Sequence, residues 1–364
     1  VSKKPGQNWP GFFLSRNGIP LFLAIILLVA CTLWSFDRKK NIAFGDPDHY
    51  YHLAISRMTT ESGLLRSLPQ VEDLGWGSYY PDKEFLFHQL TAVTYRIGGD
   101  KAVEKIPIVL ATSLIFSIFL ILHSFTGTLP ALLSLLPLFS TLHFFNRILL
   151  LRPHLLAMNI LVWFIFALLS GHRRLAAFSM LLFALAYHAF YVPLALLGIF
   201  YFSISDRKKS VPMIAASLAG LICGVLLNPY FPSTIIMGLR HLMIAAGEPA
   251  TTNLSFGTEL IPIRSDVFVR TYAFHFLLLL TCCFVVFNSG KNSNAKKSEN
   301  LQRFTFSTVA YAMFLGLISL SPRATEYALP LCSFSLAFLL HAHKEFKIPF
   351  GALMLVALFA LQFS

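Results

Sequence analysis

Phe44-Gly-Asp-Pro-Asp-His-Tyr-Tyr-His-Leu-Ala-Ile-Ser-Arg57 stands where the first long apolar run gives way to the longest polar segment of the chain. Asp46 precedes Pro47, and neither proline nor glycine interrupts the chain again until Gly63. An Asp N-cap followed by Pro starts a helix, because the carboxylate accepts from orphan backbone N–H groups and Pro has no N–H to strand. Tyr50, Leu53, Ala54 and Arg57 then share one helical face. Two carboxylates, Asp46 and Asp48, are thus held at a rigid helix start about ten residues past an expected membrane exit. Either Asp46 only caps this helix, or the pair also does chemistry.

Composition supplies the setting of this stretch. Of 364 residues, 56% are hydrophobic, 13% are charged and 36 are Phe. A soluble domain carries about a quarter charged residues, and several runs here reach the length that crosses a hydrocarbon core without a charge. The expected fold is an all-α polytopic membrane protein. The five cysteines lie in apolar runs without CxxC or metal spacing and read as small core residues. The first run, Gly18 to Trp34, is too long for a signal-peptide core and reads as a retained span. The net charge of +12 does not point to nucleic acid, because the basic residues cluster in short connections between apolar runs.

Lys3, Lys4 and Arg16 place the N-terminus in the cytoplasm by the positive-inside rule. Spans are expected at about 18–36, 106–124, 128–145 and 154–170, then two short ones within 175–205. Further spans follow at 211–228, 268–288, 304–320, 327–342 and 348–363, about eleven in all. The stretch 175–205 is read as a hairpin turning near Tyr187–Pro193, because one span would put His172-Arg-Arg and Asp206-Arg-Lys-Lys on opposite sides. The chain then forms one transmembrane domain, 1–364, in an inner or plasma membrane. It carries a large first extracytoplasmic loop, 37–104, containing short amphipathic helices, and a second loop, 229–267. Asp37-Arg-Lys-Lys40 runs against the charge rule, which is weaker for long loops.

The acids are distributed the opposite way. Of seventeen, only Asp206, Glu299 and Glu345 fall in expected cytoplasmic loops, and none is mid-span. That argues against an ion-coupled transporter built on buried carboxylates. On the outer side, Trp76, Tyr79 and Tyr80 in Glu72-Asp-Leu-Gly-Trp-Gly-Ser-Tyr-Tyr-Pro-Asp-Lys-Glu-Phe-Leu-Phe-His88 form either an interfacial belt or a platform for a sugar ring. Asn146-Arg-Ile-Leu-Leu-Leu-Arg-Pro-His154 is basic on the wrong side for the charge rule. Arg147 and Arg152 therefore either snorkel to headgroups or bind phosphate in the fork geometry that lysine lacks. Arg323 and Glu326 precede a late span, His188 sits at the hairpin tip, and Glu259 lies in the second loop beside Thr258.

These elements resemble the GT-C superfamily of integral-membrane glycosyltransferases, most closely the catalytic subunits of oligosaccharyltransferases. The resembling parts are Asp46, Pro47 and Tyr50 with Arg57, the Tyr80-Pro81 element, Thr258-Glu259, and Arg323 before a late span. The resemblance implies a polyprenyl-phosphate or polyprenyl-diphosphate sugar donor used on the extracytoplasmic face. It also implies a catalytic or metal-binding carboxylate in the first loop. The chain departs from oligosaccharyltransferases in having Asn146, Arg147 and Arg152 where a second acidic pair is expected, and in lacking Trp-Trp-Asp. Metal-independent relatives with single-phosphate donors, among them C-mannosyltransferases and aminoarabinose transferases, therefore stay open.

The expected mechanism is displacement at the anomeric carbon of the lipid-linked donor. Asp46 and Asp48 are the catalytic candidates: Asp46 as general base on the acceptor or as holder of a divalent cation that does so, and Asp48 as its partner in the base role. Arg147, Arg152 and Arg323 would meet the leaving phosphate. Tyr50, Arg57, Trp76, Tyr80, His154, His188, Glu259 and Glu326 are candidate substrate contacts. His49 and His52 share the first helix, so a metal site of Asp46, Asp48 and His49 is left open, as is the acceptor: glycan, lipid or protein. A polysaccharide polymerase or ligase, and a lipid or polysaccharide transporter without enzymatic activity, are the competing readings.

Overall fold

The computed structural model of the chain describes residues 46–74, 76–204, 207–245, 262–290 and 299–346, with Val29 and Leu33. Described residues form helices and turns, with no strand among them. In chain order the α-helices are α1 Pro47–Ser62, α2 Phe85–Val103, α3 Ile106–Thr126, α4 Thr128–Leu133, α5 Leu142–Arg147 and α6 Pro153–Ser170. They continue as α7 Arg173–Ala186, α8 Tyr191–Ser203, α9 Arg207–Leu227, α10 Ser233–Ala245, α11 Ser265–Gly290, α12 Glu299–Ile318 and α13 Thr325–Phe346.

Five segments are long and apolar enough to cross a membrane: 106–126, 153–170, 210–227, 265–288 and 299–318. Each overlaps an expected span. Expected span 128–145 is corrected: it breaks into α4, a 3-10 turn at Leu136–Phe139, and α5. Pro130 and Pro137 each remove a backbone donor, and Ser134 and Ser140 turn their hydroxyls onto carbonyls three residues back. The expected turn within 175–205 falls at Tyr187–Phe190, between α7 and α8. Those helices have 14 and 13 residues, about 20 Å each, shorter than a full crossing. α7 packs on α6 and α9, whereas α8 packs on α12 and α9, so the two halves share α9 and differ in their second neighbour. The expected spans 18–36 and 348–363 lie outside the described residues.

Side-chain contacts fix the direction of each helix. Asn159 near the start of α6 donates to Leu110 O near the start of α3 at 3.0 Å. At their far ends Phe125 meets Phe166, ring centroids 5.7 Å apart. These helices run in parallel, and the broken 128–147 stretch returns the chain between them. Arg303 at the start of α12 donates to Leu169 O at the end of α6, at 3.0 Å, so α12 runs the other way. Tyr272 early in α11 meets Thr325 at the start of α13 at 2.8 Å. The starts of α3, α6, α8, α11 and α13 and the ends of α7, α9 and α12 therefore share one end of the bundle, and α1 and α2 pack there. The basic connections at His172–Arg174 and Arg207–Lys208 mark the opposite end.

Close packing of α7 against α9 depends on two glycines. A Cβ on Gly220 would fall 2.0 Å from Ala177 O, and one on Gly224 would fall 2.4 Å from Leu181 O. Small residues four apart let helix backbones approach without polar glue, the arrangement favoured where water does not drive association.

Candidate functional site

Three groups of polar side chains occupy the bundle end that carries α1 and α2. The first is built from two helix starts. Asp46 has extended backbone and caps α1, accepting from Asp48 N at 3.4 Å. Arg152 has extended backbone because Pro153 follows it, and it opens α6. Its guanidinium forks onto Asp46, Nε to Oδ2 at 2.9 Å and Nη2 to Oδ1 at 2.5 Å. Nη2 also lies 3.1 Å from Asp48 Oδ2. Asp46 is 6% exposed, whereas half of the Asp48 side chain is open. The two carboxylates thus divide labour: Asp46 orients the arginine, and Asp48 offers a free oxygen surface.

The second group lies between α5, α6 and α13. Arg147 pairs with Glu326, both buried, and His154 Nε2 stands 3.2 Å from Arg147 O and 3.8 Å from Glu326 Oε1. Charged groups here are enclosed, so each depends on its partner. Arg323 and Arg152 lie within electrostatic reach of the same histidine.

The third group joins α1 to the start of α2. His52 Nδ1 meets His88 Nε2 at 2.9 Å, and His88 Nδ1 meets Asp82 Oδ1 at 2.8 Å. Asp82 also accepts from the backbone N–H of Glu84, the residue just before α2, at 2.9 Å. Glu84 Oε1 lies 3.8 Å from Lys83 Nζ and 3.8 Å from His188 Nδ1. Burial holds His52 well below the ordinary histidine range, and His88 beside it adds to the effect. Burial also opposes charging of His88, but the Asp82 carboxylate outweighs it and raises that histidine. Burial pushes the Glu84 carboxyl up. Arg152 acts on His52, and Asp48 acts on Glu84, so the first and third groups are electrically contiguous.

The structure places the sequence-chosen residues unevenly. Asp46, Asp48 and Arg152 are together, as are Arg147, His154 and Glu326, and His188 reaches the third group. Arg57 is not brought in: it forks onto Asp100 at the exposed surface between α1 and α2. Tyr50 is 53% exposed on the outer side of α1. Tyr80 is no open platform, because it is buried with its hydroxyl 2.6 Å from that of Tyr51 and its ring packed on Trp76 and Tyr230. Trp76 is half-buried in the same cluster. The metal set Asp46, Asp48 and His49 does not converge, since the Arg152 guanidinium fills the place a cation would take beside the two carboxylates. Glu259 lies outside the described residues.

Asp82, Lys83, Glu84 and His88 lie within Tyr80-Pro-Asp-Lys-Glu-Phe-Leu-Phe-His88 but have no assigned role on sequence grounds. His52 and His88 are on different helices, and no local spacing announces their meeting. The available signal was an acid-rich helix start carrying a histidine one turn in. A scan against protein-family models returns no match, and no curated protein matches the chain either.

Proposed function

We propose that the chain is a membrane glycosyltransferase that moves a sugar from a polyprenyl-phosphate-linked donor to an acceptor on the extracytoplasmic face. The observation that carries this reading is the half-open Asp48, held 3.1 Å from an arginine that the buried Asp46 aims, at the bundle end shared with Arg147, Arg323 and Glu326. In the proposed reaction an acceptor hydroxyl oxygen bonds to the anomeric carbon as the carbon–oxygen bond to phosphate breaks. Asp48 takes the hydroxyl proton. Asp46 acts as a positioning residue through Arg152. Two guanidiniums, Arg147 and Arg323, stand around one carboxylate, Glu326, and favour the charge that grows on the leaving phosphate.

The basic end of the bundle goes to the cytoplasm by the positive-inside rule, which puts the site outside. The expected first loop then corresponds to α1 and α2 lying over the outer bundle end, where a headgroup reaches the site while its tail stays in lipid. Eleven crossings and a cytoplasmic N-terminus belong to the same proposal.

Full-length protein in proteoliposomes would be offered radiolabelled polyprenyl-monophosphate and polyprenyl-diphosphate hexose, N-acetylhexosamine and pentose, with a membrane extract as acceptor source. Release of the lipid carrier, as polyprenyl phosphate from a monophosphate donor or polyprenyl diphosphate from a diphosphate donor, is expected with at least one donor. Asp48→Asn should lower it by roughly two orders of magnitude or more, the range for loss of a general base. No release with any donor by the parent protein withdraws the proposal. Parental release by Asp48→Asn removes Asp48 as the base.

A further inference from the structure

The third group carries more than a hydrogen-bond chain. His52, Glu84 and His88 are buried, and each offers one donor atom such that all lie within 4.8 Å of one another. Donors around a tetrahedral ion at 2.0–2.2 Å stand about 3.4 Å apart. The 2.9 Å between His52 Nδ1 and His88 Nε2 is slightly short of that, and the remaining edges close on it by small side-chain movements.

The surroundings prepare these atoms. Asp82 Oδ1 receives His88 Nδ1–H at 2.8 Å, which fixes the tautomer and turns the Nε2 lone pair towards His52 and Glu84. A carboxylate behind a histidine is the arrangement that orients and strengthens a metal-ligating imidazole. Asp82 is itself held, since it accepts from Glu84 N at 2.9 Å and is 3% exposed. Only one proton fits between His52 Nδ1 and His88 Nε2. A cation put in its place would satisfy both lone pairs and the Glu84 carboxylate at once.

From this geometry we infer that His52, Glu84 and His88 form a divalent transition-metal site, with Asp82 as the outer partner of His88. Two imidazoles and one carboxylate suit Zn²⁺ and disfavour Mg²⁺ or Ca²⁺, which take oxygen donors. Three protein donors leave a coordination position, and His188 Nδ1, 3.8 Å from Glu84 Oε1, stands beside it. The ion would pin α1 to α2 next to Asp48 and Arg152. This inference does not rest on glycosyl transfer and is tested without it.

Full-length protein in detergent, stripped with chelator, would be titrated with Co²⁺ and followed by visible absorption, then back-titrated with Zn²⁺. One Co²⁺ per chain is expected, with the strong d–d bands of a four-coordinate site, displaced by equimolar Zn²⁺. Glu84→Gln and His88→Gln should abolish the bands. Asp82→Asn should weaken binding by about 10–100-fold while leaving the ligands in place. It serves as the deciding variant if His88→Gln does not elute as a monodisperse peak. Absence of stoichiometric Co²⁺ or Zn²⁺ in the parent overturns the site and leaves a plain His52–His88–Asp82 hydrogen-bond chain. Parental affinity in both Glu84→Gln and Asp82→Asn overturns it as well.

Discussion

Replacing Glu326 by Gln would remove the charge that faces Arg147 while keeping the side chain's size. Both groups are enclosed, Arg147 6% and Glu326 1% exposed, so water cannot take over the lost partner. A pair in contact at an effective dielectric near 20 is worth about 4 kcal/mol. Removing one partner of such a pair costs about 3–5 kcal/mol, mostly because the other charge stays buried and uncompensated. His154, 3.8 Å from Glu326, loses a neighbour at the same time. At a few degrees per kcal/mol, Glu326→Gln should lower the apparent melting temperature in detergent by roughly 10 °C. Arg147→Met should be similarly harmful. The double variant Arg147→Met with Glu326→Leu should recover most of the loss, because an apolar pair of like volume needs no desolvation. The assay is fluorescence-detected size-exclusion chromatography after heating, run as a double-mutant cycle. Strictly additive losses, or a shift below about 2 °C for Glu326→Gln, would refute the argument that α5 and α13 are joined by a buried ion pair.

Three other outcomes are expected. Gly220→Ala should destabilise by about 1–3 kcal/mol, because its Cβ meets Ala177 O, while Gly316→Ala, with nothing within 4 Å, should be neutral or better; thermal scans of the two separate close packing from a general intolerance of change. Cysteines at Glu61 and at Lys208 or Arg174, in a background lacking the five native ones, should label from opposite sides of the membrane, and labelling from one side would break the assignment of bundle ends. Arg152→Lys keeps the charge but loses the fork onto Asp46; hydrogen exchange at the start of α1 should rise in that variant and stay parental in Arg57→Lys, whose partner Asp100 is at the exposed surface.

Elements whose causes are local were legible in the chain. Asp46-Pro47 starts α1 where an N-cap and a ring-fixed φ dictate it, and Arg152-Pro153 opens α6 for the same reason. Apolar runs of sufficient length became the five helices able to cross a membrane, and the break near Tyr187 followed from the basic connections on either side. Which charges meet depends on the packing of the whole bundle. Nothing in spacing told that Arg152 would fork onto Asp46 across 106 positions or that Glu326 would close on Arg147 across 179. Nor did it tell that His52 would find His88 and Glu84, 36 and 32 positions away, or that Tyr80 would turn inward against Tyr51. Partner choice among buried charges depends on where helix ends converge, because desolvation makes each group take the opposite charge or lone pair that packing brings within reach. That convergence belongs to the bundle as a whole, and no stretch of the chain contains it.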